Sequence, residues 1–208
     1  MGFTGFPDEA FIFYEGLEAD NSKAYWTAHK ATYDEAVKAP MLALLDELGP
    51  EFGEAHLFRP NRDIRFSKDK SPYKTHLGAY VPSGVDGIGY YVQVGADGLY
   101  VGGGWFAQGD QIVRYRATLD DDAQADQLDK ILESLQEAFN IGGQRLKTRP
   151  QGYPADHPRI ELLKYKSLHA GIRFEPEPWV HTPEPAARVR DSWRALGPLV
   201  DWLRRNLS

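Results

Sequence analysis

The segment from Arg59 to His76, RPNRDIRFSKDKSPYKTH, gathers side chains able to hold an anion. Arg59, Arg62, Arg65, Lys68, Lys70 and Lys74 stand there against Asp63 and Asp69, six cations to two acids, a local charge of +4. The whole chain carries −6, so the rest of it carries −10. A cationic segment of this density repels itself unless carboxylates or a bound anion balance it. Arginine recognises phosphate or carboxylate through two parallel N–H bonds, and lysine adds a mobile point charge. Arg62, Arg65, Lys68, Lys70 and Lys74 are therefore candidate ligand-binding residues. His76 closes the segment as a candidate catalytic acid or base, with Asp63 or Asp69 to orient it. Asp63 can also hold one arginine in place, and the arginines would stabilise negative charge developing in a transition state.

Three functions fit this chemistry. The preferred one is binding of a phosphorylated or otherwise anionic small molecule, extending to a hydrolase or transferase reaction. A non-enzymatic interaction module is the alternative, its basic segment an internal ion-pair network in which Arg62 and Arg65 meet Asp63, Asp69 or distant glutamates. Sequence-independent nucleic-acid binding is the third, with about five phosphate contacts and a log–log salt slope of about −4.5 on duplex DNA. The −10 on the remaining chain speaks against it.

Other reactive groups are sparser. His29 falls on the apolar face of a predicted helix, where a hydrogen-bonded core histidine is the ordinary reading. Asp156-His157 before Pro158, with Arg159, Lys164, Lys166 and His169, forms a second cationic stretch; the bland reading makes Asp156 or His157 a helix cap. The six histidines show no metal-ligand spacing, so no metal and no cofactor is expected. Gly84, Gly87 and Gly89 do not make a dinucleotide fingerprint, and Gly102-Gly103-Gly104 lacks the lysine of a phosphate loop. Those three glycines instead suit a bulge or a close backbone approach before Trp105. Trp26 and Trp105 read as core rather than as stacking platforms. With no cysteine, disulfides, thiolate zinc sites and cysteine nucleophiles are excluded.

The elements that must position these groups follow from periodicity. Asp8 is placed to cap a helix bearing Phe11, Tyr14 and Leu17, and Asn21 to cap the next. Trp26, His29, Tyr33 and Val37 share a helical face, and Pro40 opens a helix with Met41, Leu44, Leu45 and Leu48 that Gly49 closes. From 57 to 106 the period becomes two. Ile88 to Val94 and Leu99 to Trp105 form a hairpin around Ala96-Asp97-Gly98, and Leu57 to Phe66 and Leu77 to Pro82 add strands. In a strand over 61–66, Asp63 and Arg65 would face one side and Arg62, Ile64 and Phe66 the other. Ser67 to Lys74 reads as an exposed loop that Tyr73 brings back over the sheet edge. Helices are expected at 108–116, 121–139 and near 158–165, a long loop at 142–158 and a strand at 169–174. The four prolines of 175–185 forbid a long regular element, and Gly197-Pro198 predicts a kink or two short helices in the tail.

The result is an α+β chain: a central, mostly antiparallel sheet from about 57–106 plus 169–174, flanked by N-terminal, middle and C-terminal helices. Its 208 residues suit a single domain over 1–208, and 12% aromatic content argues against disorder. No apolar run approaches the ~18 residues of a membrane span. The opening stretch has acidic Asp8 and Glu9 and no basic residue, the wrong charge order for a secretory signal. Met1-Gly2 is followed by Phe6 where myristoylation wants Ser or Thr, so a cytoplasmic location is the expectation.

The stretch RDIRFSKDKSPYKTH, from Arg62 to His76, resembles the signature of the family described as domain of unknown function 2461. FTGFPDEAFIFYEGLEADN, AYWTAHKATYDEAVKAP, GGGWF at 102–106, GYPADHPRIELLKYKSL at 152–168 and the PLVDWL tail resemble its other blocks. The family often has a second Asn where Asp20 stands and Trp-Phe where Tyr25-Trp26 stands. The resemblance implies a cytosolic single-domain protein. It carries no established activity and so transfers no catalytic residues.

Overall fold

Apolar residues three and four apart make the first quarter of the chain helical in the computed structural model, which describes residues 2–65 and 67–208. The expectations resting on Met1 and Phe66 lie outside the described residues. Helix α1 (Asp8–Ala19) buries Phe11, Tyr14 and Leu17 as their spacing predicts. Asp8 is its first residue rather than its cap; Pro7 holds the cap position without a side-chain bond. Helix α2 (Lys23–Ala28) is capped by Ser22, whose Oγ accepts the Tyr25 N–H at 3.1 Å, and not by Asn21. The short α3 (Lys30–Thr32) leads into a π-helical turn at Tyr33–Lys38 and then α4 (Ala39–Phe52). Trp26, Tyr33 and Val37 are buried, but His29 is exposed. His29 is the non-helical joint between α2 and α3 (φ −110°, ψ 14°), which breaks the spacing that had put it on the apolar face. Helix α4 buries Met41, Leu44, Leu45 and Leu48 and continues through Gly49-Pro50. It stops at Gly53, whose φ of +100° suits glycine alone.

Strands β1 (His56–Leu57), β2 (His76–Pro82), β3 (Ile88–Gly95), β4 (Gly98–Phe106), β5 (Asn140–Gly142) and β6 (Ser167–Phe174) form one sheet among the described residues. It is antiparallel, in the order β1-β2-β3-β4-β6-β5, and with its flanking helices it makes the chain α+β. Ile88, Val92 and Val94 alternate inward on β3, as Leu99, Val101 and Trp105 do on β4. Ala96 and Asp97 form the turn between them. The strand expected over 57–66 is largely absent. β1 pairs only His56 with Tyr80 and Leu57 with Ala79, followed by an isolated bridge between Asn61 and Tyr73. Pro60 cannot donate to a ladder, and the charged run after it has no apolar face to bury. β5, at the start of the expected loop, pairs Asn140 with Gly171 and Gly142 with His169.

Contacts divide the chain into two compact units, whose boundaries fall within β2, β3, β4, β6 and the C-terminal helix at Glu184–Leu207. The first comprises Met1–Val81, Tyr91–Val101 and Arg173–Asp191. Its core includes Phe13, which meets Tyr14 and Trp26 edge-on at 5.1 and 5.8 Å. The second comprises Pro82–Tyr90, Gly102–Ile172 and Ser192–Ser208, with α5 (Gln111–Leu119), α6 (Asp122–Leu135) and α7 (Ile160–Leu163). Asp121 caps α6 through the Ala123 N–H at 2.9 Å. Asp156 and His157 do not cap α7: Arg159 holds that position, and His157 Nδ1 accepts the Arg159 N–H. Buried Trp105 donates from Nε1 to Gln111 Oε1 at 2.9 Å, and Gln111 donates to the Asp86 carbonyl, so this core hydrogen-bond chain is satisfied. Gly104 serves close approach, as expected: a Cβ there would lie 2.3 Å from the Leu168 carbonyl oxygen.

A 3-10 turn at Pro178–His181 interrupts the proline-rich stretch, and α8 (Glu184–Leu207) then runs as one helix through Gly197-Pro198. Of the kink or two short helices expected there, the division into two helices does not occur. Val189, Trp193, Leu196, Val200 and Leu203 are buried on both sides of Pro198, which outweighs the one lost backbone bond. No described helix is long and apolar enough to cross a membrane.

Candidate functional site

The basic segment is a loop whose shape is fixed from within and from the helices. The Arg62 N–H reaches the Pro72 carbonyl at 2.9 Å and the Lys74 N–H reaches that of Pro60 at 2.8 Å, pinching the loop at its base. Asn21 bonds both backbone groups of Tyr73: its Nδ2 donates to the Tyr73 carbonyl at 3.1 Å and its Oδ1 accepts the Tyr73 N–H at 3.0 Å. The Tyr73 ring is buried and stacks on Trp26 at 4.3 Å and 10°. Tyr73 is thus a plug into the helical layer.

Within this loop most of the sequence-nominated cations already have partners. Arg62 Nη1 donates to Asp69 Oδ2. The other Asp69 oxygen accepts from the Ser71 hydroxyl at 2.6 Å and its N–H at 2.9 Å; these bonds, then Arg62, hold Asp69 far below the usual carboxylate range. Arg65 grips Asp63 in a two-pronged pair, Nη2 to Oδ2 at 2.7 Å and Nε to Oδ1 at 3.0 Å. Those bonds lower the Asp63 pKa. Lys70 donates to the Ile64 carbonyl at 2.9 Å, and Lys68 is exposed.

Lys74 and His76 belong to a different group, at the end of the sheet. His76 opens β2 beside Gly95 of β3 and Asp97 of the β3–β4 turn. A Cβ on Gly95 would lie 3.4 Å from His76 Cβ and 3.2 Å from Asp97 Oδ1. Arg173 of β6 pairs with Asp97 at 2.5 Å and lies over the Tyr100 ring at 5.5 Å. Lys74 donates to the Arg59 carbonyl at 3.0 Å, its ammonium 5.1 Å from the Phe58 ring centroid. Burial lowers the Lys74 pKa, and the Arg59 charge lowers it further. Burial likewise lowers His76, then Lys74 and Arg173 do; Asp97 alone opposes them. Asp97 raises the His76 pKa, while Asp63 and Asp69 are engaged by Arg65 and by Arg62 and Ser71. Beside this group lie Tyr91 and Tyr100, with Tyr91 donating to Gln93 Oε1 at 2.8 Å. Burial pushes the Tyr91 hydroxyl up to about 12, with Tyr100 adding to it.

The sequence pattern gives no ligand role to Arg173 or Tyr100 and marks Asp97 only as a turn residue, whereas Tyr91 is among the aromatics able to line a stacking surface. For Tyr91 the signal is its strand position: Tyr91 and Gln93 occupy the alternate positions of β3, opposite Ile88, Val92 and Val94. The second cationic stretch is internally paired in its own unit. Arg159 meets Asp122 and Asp126 at 2.6 and 2.5 Å, and Lys164 meets Glu161 at 2.5 Å. His169 stacks on Phe106 at 5.6 Å, with burial lowering its pKa. A depression of about 360 Å³ also lies in that unit, lined by Ser83, Gly84, Val85, Arg204, Arg205 and Ser208. Arg204 and Arg205 sit at the negative end of α8, where the helix dipole opposes a bound anion. Among the described residues no three histidine or carboxylate side chains are grouped to hold a metal ion.

Residues 9–202 match the model of the family described as "Conserved hypothetical protein (DUF2461)". No curated protein matches the chain significantly.

Proposed function

We propose that this chain, which belongs to the DUF2461 family, binds a small phosphorylated or otherwise anionic molecule at Lys74, His76 and Arg173. The observation that carries the reading is the charge balance at this end of the sheet. Among the described residues three basic side chains stand here, with Arg59 acting on Lys74, and Asp97 supplies counter-charge to Arg173 and His76. Like charges oppose one another, Lys74 and His76 partly buried and Arg173 exposed, and an incoming anion relieves that opposition. Arg173 supplies a planar fork and Lys74 an ammonium with donors beyond the one given to the Arg59 carbonyl, a pairing suited to phosphate or carboxylate. Arg62, Arg65 and Lys70 hold the loop and leave the ligand to its neighbours. Should a hydrolase or transferase step follow binding, His76 is the residue placed to move a proton.

The test is calorimetric titration with sulfate and inorganic phosphate. Lys74→Ala should weaken binding about tenfold, the scale of one lost hydrogen bond to a charged group. Arg62→Ala should leave affinity where it was. Equal losses in both variants, or no binding to the native chain, would overturn the proposal.

A second reading, the interaction module stiffened by internal ion pairs, draws on the Arg62–Asp69 and Arg65–Asp63 contacts. Both pairs are largely solvent-exposed, and such pairs contribute only about 0–1 kcal/mol. They shape the loop more than they stabilise the protein.

A further inference from the structure

We infer that the anion bound here is carried on a flat aromatic ring, an aryl or heteroaryl phosphate or carboxylate, with Phe58 as the stacking surface. The inference rests on the anion-site reading above and names the ligand class for that same site.

Phe58 is 42% exposed, one of few large apolar side chains left in water among the described residues. A lone exposed ring is ordinary on a protein surface; this one has an unusual setting. Its backbone N–H bonds the Gly78 carbonyl at 2.9 Å, which fixes it beside β2. The Phe58 ring centroid lies 6.2 Å from that of Tyr91, and Tyr91 lies 6.2 Å from Tyr100. Gly78 makes this row possible: a Cβ there would fall 2.4 Å from the Tyr91 hydroxyl oxygen and 2.9 Å from Cζ. The missing side chain is the space that Tyr91 occupies, and the bond to Gln93 steadies it.

Cations stand at both ends of the row. The Lys74 ammonium is 5.1 Å from the Phe58 centroid, and the Arg173 guanidinium is 5.5 Å from that of Tyr100. A ring laid against Phe58 would bring an attached phosphate to the side of the site where the Lys74 ammonium stands, 5.1 Å from the Phe58 centroid. Every aromatic ligand offers a π-face, so the row reads ring shape, while the cations read charge. A bare inorganic ion would use the cations and leave Phe58 in water.

Calorimetry with inorganic phosphate, phenyl phosphate and cyclohexyl phosphate tests this. Phenyl phosphate should bind on the order of tenfold tighter than inorganic phosphate, as stacking on one aromatic side chain permits. It should also bind tighter than cyclohexyl phosphate, which matches its bulk without the π-face. Phe58→Ala should bring the phenyl-to-inorganic ratio close to one. Phe58→Leu, which keeps apolar bulk and guards against a folding defect, should remove the preference for phenyl over cyclohexyl. Equal affinities for all three ligands in the native chain, or a phenyl preference that survives both substitutions, would overturn the aromatic assignment while the anion site stands. If neither inorganic phosphate nor phenyl phosphate binds, the anion-site reading falls and takes this inference with it.

Discussion

His76 is where the candidate site should reveal itself to a proton. Burial, then Lys74 and Arg173, hold its pKa below the ordinary 6.5, with Asp97 pulling the other way. A bound anion adds negative charge beside the ring and raises that pKa. Between the lowered free value and the raised bound value, the complex holds a proton that the free protein does not, so binding takes up a proton. Sulfate affinity should therefore rise as pH falls from about 7 towards about 5, within the range where histidine titrates. Sulfate keeps a constant charge across this range, so the dependence belongs to the protein. His76→Asn should flatten the profile, and a native profile already flat would remove His76 from the site. Stability is the less specific readout. A histidine whose folded pKa is depressed contributes stability that is full above its unfolded value and lost as pH falls below it. His169 is shifted the same way by burial, so acid unfolding would mix the two.

At the scale of elements, the junction between α1 and α2 sets where the basic loop lies. Asn21 holds both backbone groups of Tyr73, 52 residues away in sequence, while the Tyr73 ring stacks on Trp26. Asn21→Ala leaves a half-buried N–H and C=O without that partner and should cost on the order of 1–3 kcal/mol, read from urea denaturation midpoints. Asn21→Asp keeps the acceptor, loses the donor and should fall between. An unchanged midpoint in Asn21→Ala would mean that the Tyr73–Trp26 stack alone carries the loop. Local chemistry pointed elsewhere for Asn21. Its type suits a helix cap, and Ser22, one residue on, takes that bond. Helices α1 and α4 and the β3–β4 hairpin were legible because burial of one face imposes a period on the apolar residues. The segment 57–66 has charges where such a face would be, so its alternation carried no register. The site was legible in part for the same reason. Charge density located Lys74 and His76. Asp97 and Arg173 reach them only through strand neighbours distant in sequence, and no local spacing encodes that.

For the molecule as a whole, the question is whether the cationic site acts as a local pocket of charge or as part of a surface field. The chain carries −6, which divides into +4 over residues 59–76 and −10 elsewhere. Screening confines exposed charges to roughly 8–10 Å at physiological ionic strength. A small anion that enters the site therefore feels Lys74, His76 and Arg173 and little of the acidic remainder. A polyanion extends over many screening lengths and meets that remainder wherever it leaves the loop. Its favourable contacts are further reduced because Arg62 and Arg65 are engaged by Asp69 and Asp63. The native chain should thus pass through a heparin column without retention at about 50 mM salt, a concentration at which phosphate-contacting proteins bind strongly. Phenyl phosphate should still be bound under the same conditions. Retention on heparin, with duplex DNA affinity falling along a log–log slope near the −4.5 of about five phosphate contacts, would move the assignment to nucleic acid. Asp63→Asn with Asp69→Asn sharpens the comparison. Releasing Arg62 and Arg65 raises the local charge from +4 to +6, and if the engaged acids are what deny the loop to polyanions, this double variant should begin to be retained where the native chain is not.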